Sequence, residues 1–124
     1  MDQENAKVVE RYWEALRNSD MQALAAVYAE DAVQEWPQSR ERIVGRKNIV
    51  AVNENYPGMP KATPRNIIGR DDLWVSEVTL DYGAERYESV SIFQVKDGKV
   101  VSETDYFAAP FEAPEWRAQW VERM

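Results

Sequence analysis

The chain has 124 residues, 44% of them hydrophobic and 30% charged, and it contains neither cysteine nor histidine. This composition is typical of one globular domain over residues 1–124, and it excludes disulfides, thiolate chemistry and the commonest zinc ligand. Fifteen basic and 22 acidic residues give a net charge of -7, which disfavours binding to nucleic acid or to anionic membranes. No apolar run reaches the ~20 residues of a membrane span, and the acidic N-terminus is unlike a secretory signal, so we expect a cytoplasmic protein.

The first part of the sequence has the apolar spacing of helices. A helix is predicted from about Glu4 to Asn18, with Tyr12 beside its apolar stripe. That stripe consists of Ala6, Val9, Trp13 and Leu16. Ser19 with Gln22 resembles a capping box, which predicts that a short second helix begins there and packs against the first.

A short strand and a third helix are predicted next. The strand follows Tyr28 and ends at Pro37, and the polar residues Gln38–Arg42 indicate a loop. The third helix follows Gly45 and ends before Pro57–Pro60. Its inner stripe is formed by Ile49, Val52 and Tyr56.

From Thr63 onward the pattern changes to strands. Residues 74–82 alternate between apolar and polar, and a second strand over Tyr87–Val95 leads into a hairpin turn at Asp97-Gly98. A terminal helix is predicted over Ala113–Met124, docked by Trp116 and Trp120. Helices followed by an antiparallel meander predict an α+β fold with the helices packed on one face of a curved sheet.

The strand after the hairpin carries the residues of most chemical interest. Glu103, Asp105 and Phe107 are two residues apart, so their side chains share one face of the strand. Two acids beside an aromatic ring suit a small-molecule pocket with a general base. The same face could equally be a solvated edge, and Asp105 could be a structural acid bonded to a backbone amide or an arginine.

Several short segments, in this order and spacing, resemble the nuclear transport factor two-like superfamily and its SnoaL-like, polyketide cyclase-like branch. They are Arg11-Tyr12-Trp13, Ala15-Leu16, Tyr28-Ala29-Glu30-Asp31-Ala32, Gly45-Arg46, Phe93-Gln94-Val95, Asp97-Gly98-Lys99-Val100 and Asp105-Tyr106-Phe107. The resemblance covers nearly the whole chain. It implies a cone-shaped, usually dimeric α+β fold, with a sheet of antiparallel or mixed strands and a deep pocket between sheet and helices.

The resemblance also implies which side chains line that pocket. Asp105 and Tyr12 would be the catalytic residues, with Tyr12 donating a hydrogen bond to a developing oxyanion. Substrate would be bound by Trp13, Gln34, Trp36, Tyr56, Val78, Leu80, Tyr87, Ser89, Ser91, Glu103 and Phe107.

Relatives with known chemistry match these residues only in part. Ketosteroid isomerase-like members share Tyr12, but this chain has Trp36 where they have the base and Ser91 where they have a second donor. Limonene epoxide hydrolase-like members share Asp105, but Val78 and Leu80 replace an arginine and a second aspartate. Their water-holding tyrosine and asparagine fall at Gln34 and Trp36. SnoaL-like cyclases have a single inward aspartate on the last strand, and this simpler site departs least from the present chain.

Two functions follow as expectations. The first is a small-molecule enzyme that performs acid/base chemistry of isomerase, cyclase or hydrolase type on an apolar, ring-containing substrate, with no cofactor and no metal. The alternative is a non-catalytic ligand-binding or dimerisation domain of the same fold. A homodimer is expected through the outer sheet face, where Val75, Val90 and Ile92 point away from the pocket.

Overall fold

The computed structural model describes residues 2–124 and has the predicted α+β architecture. Within these residues the helices are α1 (Asp2–Arg17), α2 (Met21–Val27) and α3 (Arg46–Glu54). The strands are β1 (Tyr28–Trp36), β2 (Glu41–Val44), β3 (Lys61–Arg70), β4 (Leu73–Asp81), β5 (Arg86–Lys96) and β6 (Lys99–Ala108). A short 3-10 helix follows at Glu115–Trp120.

The strands form one mixed sheet in the order β2-β1-β6-β5-β4-β3. β1 and β6 run parallel, and the other neighbouring pairs are antiparallel. The β5–β6 hairpin turns at Asp97 and Gly98, both with positive φ, as the Asp-Gly sequence predicts. In the strand order, the acid-bearing strand β6 lies between β1 and β5, so it has a hydrogen-bonded neighbour on each side.

The helices cover one face of this sheet, and that face holds the core. On β4 the buried residues alternate, since Trp74, Ser76, Val78 and Leu80 face inward. On β5 and β6 the same face holds Ser89, Ser91, Phe93, Val95, Val100, Glu103 and Asp105. The inward face of β4 is the one that period-two alternation predicts, and the inward faces of β5 and β6 are those that the resemblance implies.

The first two helices meet at a junction that differs from the prediction. Ser19 adopts a left-handed conformation, with φ of 51°, and does not cap the next helix. The cap is Asp20, whose carboxylate accepts a hydrogen bond of 3.0 Å from the backbone N–H of Ala23. Serine and aspartate are both good caps. The spacing from Ser19 to Gln22 favoured the serine in the sequence, but the helix begins one residue later.

Two further predictions of local structure were wrong. The predicted loop Gln38–Arg42 is shorter than expected, because Glu41 and Arg42 belong to β2, which pairs with Val33–Trp36 after a tight turn. The terminal segment forms only a six-residue 3-10 helix, and Trp116 and Trp120 are each 72% exposed rather than docked. No residue of this helix is buried, so no packing surface stabilises a longer one.

Candidate functional site

The two acids of β6 are buried where the sheet meets the helices. Glu103 is 1% exposed and Asp105 is 3% exposed. Glu103 lies beside Gln34 of the parallel strand β1, and Asp105 lies beside Ser91 of the antiparallel strand β5. Buried carboxyl groups are rare unless hydrogen bonds compensate for lost hydration, so their contacts define the site.

Glu103 accepts hydrogen bonds on both oxygens. The Tyr28 hydroxyl donates to Oε1, the Tyr12 hydroxyl donates to Oε2 at 2.8 Å, and the Gln34 amide donates to Oε2 at 3.0 Å. These donors come from α1 and β1, so this carboxyl group joins the first helix to the centre of the sheet. Glu103 is thus a fully hydrogen-bonded group within the core.

The pKa of Glu103 is raised well above its usual value of 4.5, mainly by burial and then by the charge and hydrogen bonding of Asp105. Hydrogen bonds from Tyr28 and Tyr12 act in the opposite direction, because they stabilise the ionised carboxylate. Burial outweighs them. Glu103 therefore holds a proton to higher pH than an exposed glutamate does.

Asp105 is held by only one of its two oxygens. Oδ2 accepts from the Gln34 amide at 2.7 Å and from the Trp36 indole N–H at 2.9 Å. Oδ1 is buried and has no hydrogen-bond partner within the described part of the chain. Asp105 is thus bonded to two side chains, and not to the arginine or backbone amide of the structural alternative.

A small cavity of about 70 Å³ lies against Asp105. It brings together many of the residues predicted to form the site, namely Tyr12, Trp13, Gln34, Trp36, Tyr56, Ser89, Ser91, Asp105 and Phe107. Its walls are largely aromatic: Trp36 and Phe107 meet edge to face with ring centroids 6.0 Å apart. The Gln34 side-chain oxygen is, like Asp105 Oδ1, a buried acceptor without a partner among residues 2–124.

Some predicted site residues lie elsewhere. Val78 and Leu80 are packed in the hydrophobic core and are not among the residues that line the cavity. Tyr87 lines an adjoining depression instead. Glu103 is not among the lining residues and reaches the cavity only through its contacts with Gln34 and Tyr12.

Other residues of the site were not predicted. Tyr28, which the sequence placed before the first strand, begins β1 and donates a hydrogen bond to Glu103. The cavity is also lined by Leu16, Asn53, Met59, Pro60 and Tyr82. Tyr82 could have been found from the sequence, because the alternation of residues 74–82 places it on the same face as the inward residues of β4. The loop after α3 gave none, because a loop has no periodicity from which side-chain direction can be inferred.

The hydroxyl of Tyr12 is engaged inside the protein. It donates a hydrogen bond to Glu103, and burial raises the pKa of Tyr12 well above its usual value. Tyr12 therefore stays protonated, but its proton points at Glu103 rather than at a ligand. The neighbouring Trp13 donates its indole N–H to Ser76 at 3.0 Å. Both side chains consequently form fixed walls.

Among residues 2–124 there is no group of three or more acidic residues placed to hold a metal ion. Over the same range, no helix combines the length and the apolar character that crossing a bilayer requires.

The chain matches the sequence profile of the SnoaL-like domain over residues 9–103. It is similar to an NTF-2 like protein of unknown function from Burkholderia xenovorans, with 39% identity, a TM-score of 0.89, and coverage of 99% of this chain and 97% of that chain. A putative ketosteroid isomerase from Kribbella flavida shares 31% identity, with a TM-score of 0.91 and coverage of 98% and 90%. An LEH-like epoxide hydrolase from M. tuberculosis shares 25% identity, with a TM-score of 0.73 and coverage of 85% and 83%. No protein of curated function matches the chain.

Proposed function

This chain belongs to the SnoaL-like domain family, and we propose that it is a small-molecule enzyme performing acid/base chemistry without a cofactor. One observation carries this proposal: Asp105 lines the cavity, one of its oxygens is fixed by two donors, and the other is buried without a hydrogen-bond partner among residues 2–124. A general base needs this combination, because the carboxylate must be oriented while one lone pair stays available for a substrate proton.

In the proposed reaction, Asp105 Oδ1 removes a proton from a substrate bound in the cavity. The electron pair of the broken bond moves into the substrate and generates a negative charge there. Ser91, the cross-strand neighbour of Asp105, lines the same cavity and offers a hydroxyl that can stabilise this charge. Returning the proton from Asp105 to a different substrate atom completes an isomerisation. In a ring closure, the substrate carbanion would instead attack a carbonyl carbon of the same molecule, the C=O π electrons would move to the oxygen, and Asp105 would return the proton to that oxygen.

The remaining polar residues prepare Asp105 for this role. Gln34 bridges the two acids, since its amide group donates to both carboxyl groups. Glu103 keeps its proton more readily than usual, so Asp105 is not opposed by a second full charge. Tyr12 acts through Glu103 as a positioning residue in this scheme, which differs from the oxyanion donor expected from the resemblance.

The aromatic walls support an apolar, ring-containing substrate. Trp13, Trp36 and Phe107 present large apolar surfaces to the cavity, and Asp105 with Gln34 supplies acceptors for a hydrogen-bond donor. An anionic substrate is disfavoured because it would approach a buried negative charge. We therefore propose a neutral molecule with an acidic C–H or O–H group at one end.

A second candidate is a binding domain without catalysis. The cavity volume favours this candidate over catalysis on a ring-containing substrate. About 70 Å³ lies well below the ~300–1,000 Å³ of typical ligand sites and leaves room only for a small ligand. In this case Asp105 would only accept a hydrogen bond from a small ligand. The fixed orientation of Asp105 is equally compatible with such a role, so activity must separate the two candidates.

Asp105→Asn provides the test. The asparagine oxygen can accept from Gln34 and Trp36, while its NH₂ group replaces the free oxygen and removes the base. We expect the wild-type protein to accelerate deuterium exchange from D₂O into 2-tetralone, an enolisable ketone, and the variant to be slower by at least ~100-fold. Exchange is measured by NMR, and circular dichroism checks that the variant is folded.

Asp31→Asn is the matched control, because Asp31 is an exposed residue of β1, and it should exchange at the wild-type rate. Normal exchange by Asp105→Asn would rule out Asp105 as the base. Binding of 2-tetralone without any exchange by the wild-type protein would favour the non-catalytic candidate.

A further inference from the structure

An open depression lies next to the small cavity and shares part of its wall. It is lined by Tyr56, Tyr82, Ala84, Glu85 and Tyr87, and its volume is about 380 Å³. Tyr56 and Tyr82 line both spaces, so their side chains separate the inner cavity from the outer depression. The two spaces are therefore neighbouring compartments.

The dividing wall is held by a single hydrogen bond between two side chains. The hydroxyl groups of Tyr56 and Tyr82 lie 2.9 Å apart. Tyr56 belongs to the segment after α3, and Tyr82 lies in the turn between β4 and β5, so this bond connects two loops. Burial and the bond to Tyr56 raise the pKa of the Tyr82 hydroxyl, which therefore stays protonated.

Such a wall can open without disturbing the core. Each of the two tyrosines is 38% exposed, and the bond between exposed hydroxyl groups is readily replaced by bonds to water. Gly58, in the same segment as Tyr56, has a φ of 68°, and a side chain added there would meet nothing within 4 Å. The segment that carries Tyr56 is therefore not packed against other residues at Gly58.

We propose that the depression is an outer subsite of the same binding site, and that the substrate spans both compartments when the Tyr56–Tyr82 contact opens. This inference rests on the function proposed above. The donor group of the substrate would bind Asp105 and Gln34, and a flat apolar part would lie against Tyr82 and Tyr87. These two rings meet edge to face with centroids 5.4 Å apart and form a preassembled aromatic surface.

Volume and charge define the substrate class further. The outer depression falls within the ~300–1,000 Å³ range of ligand sites, whereas the inner cavity does not. Glu85 lines the depression and adds negative charge to its rim. The site therefore suits a neutral or cationic molecule with two fused rings or more and a hydrogen-bond donor at one end.

The test uses 2-naphthol and phenol as probes, because both carry a hydroxyl donor but only 2-naphthol is long enough to enter the outer subsite. Tyr82→Ala is expected to weaken 2-naphthol binding about tenfold and phenol binding less than about twofold. Tyr82→Phe keeps the ring and removes the hydroxyl bond, so it should speed 2-naphthol association while largely preserving affinity. Affinities are measured by NMR titration and association rates by stopped-flow fluorescence.

Tyr106→Phe, an exposed tyrosine of β6, is the control and should leave both probes unaffected. Equal weakening of both probes by Tyr82→Ala, no weakening, or no binding of 2-naphthol to the wild-type protein would each overturn the outer subsite. An association rate unchanged in Tyr82→Phe would overturn the opening of the wall. These outcomes are separate from those of Asp105→Asn, whose readout is proton exchange.

Discussion

At the scale of single residues, two acids separated by one position have different environments. Glu103 is fully hydrogen-bonded inside the core, whereas Asp105 lines the cavity and has one oxygen without a hydrogen-bond partner in the described part of the chain. The difference arises from their neighbours: Glu103 faces the tyrosines of α1 and β1, and Asp105 lies further along β6, nearer the cavity. The first acid can therefore tune and support the second.

Glu103 should make the protein less stable as the pH rises. Its folded-state pKa lies above the usual 4.5, so the folded protein binds this proton more tightly than the unfolded chain does. The resulting stabilisation is complete below pH 4.5 and is lost as the pH rises to the folded-state pKa, by up to about 1.4 kcal/mol per pH unit. Urea denaturation at a series of pH values between about pH 4 and pH 9 measures this loss.

Glu103→Gln cannot ionise, so its free energy of unfolding should decline less over this range than that of the wild-type protein. Glu35→Gln, at an exposed glutamate paired with Arg42, serves as the control and should follow the wild-type pH dependence. Parallel curves for the wild-type protein and Glu103→Gln would contradict the raised pKa.

At the scale of secondary structure elements, the β3–β4 hairpin fixes the far side of the sheet through a close contact. Gly69 pairs with Trp74 across the hairpin, and the Trp74 ring lies where a side chain of residue 69 would project. Trp74 is 6% exposed and donates its indole N–H to the Asp71 carbonyl at 2.9 Å. Glycine is required here for space rather than for an unusual φ.

Gly69→Ala should therefore destabilise the fold. The added methyl group would meet the Trp74 ring and would lie 2.5 Å from the Leu73 carbonyl oxygen, so the hairpin must shift. We expect a loss of about 1–3 kcal/mol in the free energy of unfolding, measured by urea denaturation. Arg70→Ala, at an exposed position next in the strand, should change it by less than about 0.5 kcal/mol. Equal stability of Gly69→Ala and the wild-type protein would contradict the steric argument.

At the scale of the whole molecule, the outer face of the sheet is not covered by the helices. Val75, Val90 and Ile92 are half-buried on this face, which is opposite the acids. An apolar patch on an uncovered sheet face is a candidate contact surface, because pairing would remove it from water. We propose that two copies of the chain pair through this face.

Ile92→Lys should disrupt that homodimer, since the interface would then bury an unpaired charge from each copy. Sedimentation velocity at micromolar concentration should show a dimer for the wild-type protein and a monomer for the variant. Gln22→Lys, an equal change of charge at an exposed position of α2, should remain dimeric. A monomeric wild-type protein would reject the proposal.

The sequence by itself determined the fold class, the apolar face of β4 and the presence of Glu103 and Asp105 on one face of β6, and the family resemblance implied that this face points inward. These features are local, because alternation along a strand and the Asp97-Gly98 turn depend only on neighbouring residues. Only the tertiary structure decided what surrounds the acids. Gln34 bridges them because β1 pairs in parallel with β6, a contact between residues 69 positions apart. Tyr28 and Tyr82 likewise gain their partners from distant segments, and the raised pKa of Glu103 depends on a burial that no local pattern encodes.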